Sequence, residues 1–152
     1  LGGGTLLGPN STGHGNRSAI AILDVMLRYR DPADPQRRAV TWQTEWMSRR
    51  RQLPGALLAD QGLTSSLVAQ FALRWEAGLR AEHVTGVSGD PLDPTWTRAR
   101  TRLAAQLTFY PSHFSRLRGQ LAWDRRASTD ETGLAAFLAL EVLIGAHGAH
   151  NY

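Results

Sequence analysis

Cysteine is absent from the 152 residues, which excludes a disulfide framework and thiolate chemistry while leaving the compartment open. Lysine is absent as well. All 17 basic side chains are arginine, against 13 Asp and Glu, for a formal net charge of +4 and a sequence pI near 10.6. Such a balance on its own would point to nucleic acid or an anionic surface. The arginines are spread over alternate positions of successive segments, however, and a nucleic-acid partner is not expected. Long apolar runs are missing too. Apolar residues make up 42% of the chain, yet the mean hydropathy is -0.29, and every run breaks well before the ~18 residues of a membrane-spanning helix. The length suits one ordinary core. The chain opens on Leu1 with no basic–apolar leader, as expected of a fragment or a trimmed chain.

What fills the sequence instead is a period of two. In "FLALEVLIGAHGAHNY" (137–152), Leu138, Leu140, Val142, Ile144 and Ala146 share a parity with the final Tyr152, and Glu141 takes the other. Successive side chains of a strand point to opposite faces, so this is strand patterning. The same alternation sets Leu117, Leu121 and Trp123 against Arg116, Arg118 and Asp124. It sets Leu103, Leu107 and Phe109 against Arg98, Arg100 and Arg102, and Trp75 and Leu79 against Glu76, Arg80 and Glu82. Looser versions run through "SLVAQFALR", "RAVTWQTEWMSRRR" and "RSAIAILDVMLRYR". About seven strands are predicted, each near the 9–11 residues of a tilted membrane-spanning strand.

The connections alternate in length. "DPADPQ" (31–36), the corner at 73–75 and "PSHFS" (111–115) are short, whereas 52–64, 85–94 and 125–133 read as longer loops. Short turns on one side and long loops on the other describe an outer-membrane β-barrel, with periplasmic turns and extracellular loops. Lipid would cover the apolar face, for which no second apolar layer is evident. The polar face would line a wet lumen, with Arg98, Arg100, Arg102, Arg116, Arg118 and Arg80 balanced by Glu76, Glu82, Asp124 and Glu141. These arginines would either form a positive ladder favouring anionic solutes or pair with the carboxylates to stiffen the wall. Tyr29, Trp75, Phe109 and Tyr152 by the short turns, with Trp123 and Trp96 by the long loops, would form aromatic girdles. "RRRQ" (49–52) falls at the outer rim, within reach of anionic headgroups. A soluble antiparallel sandwich or lipocalin-like barrel also alternates and is the alternative.

An odd strand count does not fit bacterial single-chain barrels, which have even numbers. Residues 1–16 are therefore expected to be an external loop, and 17–152 the C-terminal part of a larger all-β, antiparallel transmembrane barrel. The segments "GPNSTGHGNRS", "TWQTEWMSRRRQLPG", "GDPLDPTWT", "QLTFYPSHFSRLRGQ" and "LEVLIGAHGAHNY" resemble a group of Gram-negative outer-membrane proteins. That group is labelled zinc-regulated TonB-dependent outer-membrane receptors. The resemblance spans nearly the whole chain and implies a porin-like transport barrel in the cell outer membrane. No plug domain or TonB box stands among these residues. Tyr152, with Val142, Ile144 and Ala146, is similar to the terminal signal read by the barrel-assembly machinery, which becomes an expected partner beside lipid and a small solute.

The remaining motifs are weaker. His147 and His150 are candidate zinc ligands, but on a strand a spacing of three puts them on opposite faces, so they converge only if the chain turns at Gly148. No other cofactor is expected. Asp90 and Asp93 in "GDPLDPTW" read first as a rigid, proline-bounded loop. Ser112, His113 and Ser115 lie in a tight turn with no orienting acid, and no nucleophile elbow occurs, so an enzyme is not expected. "LGGGTLLG" has neither the preceding strand nor the lysine of a phosphate loop.

Overall fold

Eight antiparallel strands follow one another along the chain in a computed structural model that describes residues 1–13, 15–34 and 37–144. They are β1 (Gly2–Pro9), β2 (Arg17–Arg30), β3 (Ala39–Leu53), β4 (Ala56–Ala72), β5 (Trp75–Val84), β6 (Arg100–Ser112), β7 (Ser115–Arg126) and β8 (Glu131–Val142). They form a single open sheet in chain order from β1 to β8. Each strand touches only its sequence neighbours, so among the described residues β1 and β8 each keep one unpaired edge. The fold is all β. No helix is long and apolar enough to cross a membrane, which says nothing of strands.

The register turns the sequence period into two continuous faces. Leu27, Trp42, Leu67, Leu79, Ala105, Leu121 and Ala136 lie in one cross-strand row on the first face. Asp24, Glu45, Thr64, Glu82, Arg102, Asp124 and Gly133 lie in a row on the second. No second layer packs on either. Leu79, Leu121 and Leu138 are 62%, 59% and 78% exposed, and Ala122 alone among the described apolar residues is buried. The sheet holds together by its ladder and by cross-strand side-chain pairs rather than by a core. On the apolar face two indole N–H groups are satisfied within the sheet: Trp42 donates to Ser65 Oγ at 3.0 Å and Trp46 to Gln61 Oε1 at 3.4 Å.

Three expectations about the connections change. Residues 2–9 are a strand, not part of an external loop, which makes eight strands rather than seven among the described residues. "GGGTLLGP" lacks alternation because an edge strand is held by backbone pairing, here Gly2↔Asp24 through Pro9↔Arg17. A Cβ on Gly2 would lie 2.3 Å from Asp24 Oδ1, so the glycine makes room for that side chain. The supposed long loop at 52–64 is instead a tight hairpin. Pro54 and Gly55 make the turn, with Gly55 at φ 75°, a conformation that costs glycine nothing. Residues 56–64 then run as strand, and 56–61 reach beyond the pairing with β5, which begins at Gly62↔Val84. The loop at 125–133 shrinks likewise, because β7 runs to Arg126 and β8 starts at Glu131. Of the three connections expected to be long, the one between β5 and β6 remains so, as residues 85–99.

Candidate functional site on the polar face

The ends of the sheet differ in build. At the turn end, β4–β5 and β6–β7 are joined by two residues each, Leu73–Arg74 and His113–Phe114. At the loop end, the projecting β3–β4 hairpin stands beside the 85–99 segment. That segment folds back on itself: Val87 N–H donates to Trp96 O at 3.0 Å, and the backbone of Gly86 lies so close to Arg98 that a Cβ would fall 2.2 Å from the Arg98 nitrogen.

Asp90 fastens this loop to the hairpin. Its side chain is 1% exposed and accepts from Arg51 Nη1 at 2.6 and 2.7 Å and from Arg49 Nη2 at 3.2 Å. Arg49 also donates through Nε to Asp60 Oδ1 at 2.9 Å. Burial by itself would raise the Asp90 carboxyl. The Leu92 backbone N–H and the guanidiniums of Arg51 and Arg49 outweigh it, and the group titrates below its ordinary range. "RRRQ" is therefore split by the pleat. Arg49 and Arg51 turn to the polar face and their carboxylates, while Arg50 is exposed on the apolar side of the rim. Sequence reasoning treated Asp90 as a loop former and missed the latch.

The lumenal candidates all fall on the polar face, and the structure sorts them by partner. Arg100 grips Asp124 through Nε at 2.9 Å and through Nη2. Arg116 pairs with Glu141, Arg118 approaches the same carboxylate at 3.4 Å, and Arg80 pairs with Glu82. Tyr110 donates to Glu76 at 3.5 Å. Arg98 and Arg102 form no ion pair among the described residues, although Arg102 sits in register between Glu82 and Asp124. Across the same face, Asp24 and Glu45 are direct cross-strand neighbours with no cation paired to either. The arginines at 80, 100, 116 and 118 are thus tied to carboxylates, and those at 98 and 102 are not.

At the loop end the polar face opens a cleft of about 240 Å³ lined by Trp96, Arg98, Arg100, Arg126, Ser128 and Thr129. Trp96 is not a girdle residue. Its ring lies 5.5 Å beneath the Arg100 guanidinium, on the polar side, because the loop carries it inward. The other girdle candidates among the described residues lie on the apolar face. Trp75 and Phe109 are register partners with centroids 4.7 Å apart, Tyr29 is exposed near the same end, and Trp123 sits between Leu103 and Leu134 toward the loop end. His147, His150 and Tyr152 lie outside the described residues. Among the described residues no group of three or more His, Asp or Glu could hold a metal ion. Compared with protein-family models, curated proteins and solved structures, the chain shows no match.

Proposed function

We propose that this chain is part of an outer-membrane β-barrel of porin or receptor type, through which a small solute or ion crosses the cell outer membrane of a Gram-negative bacterium. The observation that carries it is the uncovered apolar face. A single sheet exposes leucines and aromatics across β2–β8 on one side and ion-paired residues on the other. In water so continuous an apolar face would be unusual, because a soluble monomer exposes apolar patches of only about a few hundred Å². In lipid it is the exterior, and every strand of the sheet except β1 has 10 to 17 residues, enough to span. The free edges of β1 and β8 would be closed by further strands of the same barrel, since hydrocarbon cannot satisfy open backbone groups. The likeness to zinc-regulated TonB-dependent receptors favours the same location, with lipid, the assembly machinery and a small solute as partners. Transport, not catalysis, is the proposed role.

The test uses the full natural chain folded into lipid vesicles. Heat-modifiable electrophoretic mobility and discrete single-channel conductance steps are expected. A monodisperse protein that needs neither lipid nor detergent would overturn the barrel, and an inserted, folded protein without conductance would reduce it to an anchor.

A further inference from the structure

We infer that the cleft at the loop end is a binding site for small oxyanions, solutes carrying phosphate or carboxylate groups, built by Arg98, Arg100 and Arg126. The inference deepens the channel proposal and rests on it for the cleft's place at a water-filled mouth. Three guanidiniums and the hydroxyls of Ser128 and Thr129 line this space, and no carboxylate does. Planar guanidiniums present donors matched to the oxygens of phosphate and carboxylate, and two or more can share one ligand.

The three arginines are held in different ways. Arg100 is fixed by Asp124 on one side and by the Trp96 ring on the other, so it is preorganised at the cleft wall. Arg126 is its direct register partner across β6–β7 and reaches Glu131 only at 3.8 Å, with both side chains more than half exposed. Two like charges placed opposite each other are unfavourable, and an anion bridging them would relieve that repulsion. Arg98 has no partner among the described residues. Its backbone is set by the close approach to Gly86 and by the Ala127 N–H donating to Ala99 O at 3.0 Å. Two carboxylates stand beside the cleft without lining it: Asp124, engaged by Arg100, and Glu131, which accepts from the Thr129 hydroxyl at 3.0 Å and lies 3.8 Å from Arg126, so the three guanidiniums still outnumber them. A cleft of about 240 Å³ admits a multivalent anion rather than a bulky or apolar solute.

Calorimetric titration of the folded full chain with inorganic pyrophosphate provides the test. Saturable binding is expected, weakened about tenfold or more in R98Q/R126Q, which removes two of the three charge-assisted donors. R98K/R126K should retain part of it, and Arg28→Gln on β2 should leave it unchanged. Heat-modifiable mobility checks that each variant folds. Absence of saturable binding in the natural chain, or binding unaffected by R98Q/R126Q, would overturn the site. Reversal potentials in planar bilayers separate the two proposals. Binding without conductance keeps the anion site and removes the channel, whereas conductance without binding does the reverse.

Discussion

The two faces of the sheet share one backbone and one ladder, yet they are stabilised by different means. On the apolar face, Leu79 is opposite Leu67 and Ala105, and Leu121 is opposite Ala105 and Ala136, with nothing lying over them. On the polar face, the long side chains cover their own surroundings. Arg116, Arg118 and Glu141 interlock at one end, Arg100 and Asp124 at the other, and Thr108 between β5 and β7 is left only 2% exposed. The polar face thus supplies many of its own partners, whereas the apolar face has nothing over it. In the proposed barrel lipid is the medium that covers the apolar face, and the charges are concentrated on the side that faces water.

The sharpest way to break this contrast is to move a charge across it. Leu121→Arg places a guanidinium in the middle of the apolar face and is expected to cost about 2–4 kcal/mol of folding free energy in lipid. Gln120→Arg, one residue away on the polar face, should change stability by no more than about 0.5 kcal/mol. Urea unfolding of vesicle-embedded protein measures both. Equal costs would mean that the two faces meet the same medium.

A smaller effect is expected at the latch. Asp90→Ala leaves Arg49 with Asp60 alone and strips Arg51 of its carboxylate, so the 85–99 segment should lose about 2 kcal/mol of local stability. The loop should open without unfolding the sheet, which hydrogen exchange of Thr85, Val87 and Trp96 would register. Smaller still is the pH effect. The Asp90 carboxyl is depressed in the folded state, so its contribution is fully present above the ordinary carboxylate value and lost as pH falls through the lower folded value. A spin label at Ser88→Cys should stay immobile at neutral pH and gain mobility only in that acid window. Asp90→Asn should abolish the transition.

The face of nearly every strand residue was legible in the sequence, because a period of two needs no knowledge of partners. Glu76, Arg80, Glu82, Asp124 and Glu141 all stand on the polar side that alternation gave them. What alternation could not reveal lies where it fails. β1 is glycine-rich and held by its neighbour's backbone. The β3–β4 hairpin mixes polarity because it projects past the apolar band. The Asp90 latch joins residues about 40 apart through an aperiodic loop, and the same loop turns Trp96 inward, away from the girdle its composition suggested.

The central claim, that lipid covers the apolar face, can be tested directly because the chain has no cysteine of its own. Single cysteines carrying spin labels would be placed in turn at residues 117 to 124 of β7 in vesicle-embedded protein. Accessibility to dissolved oxygen and to a water-soluble nickel chelate would then be measured at each position. The account predicts an alternation, with 117, 119, 121 and 123 open to oxygen and shielded from nickel, 118, 120 and 124 the reverse, and the buried position 122 closed to nickel. Equal nickel access on both parities would contradict it and place the sheet in water.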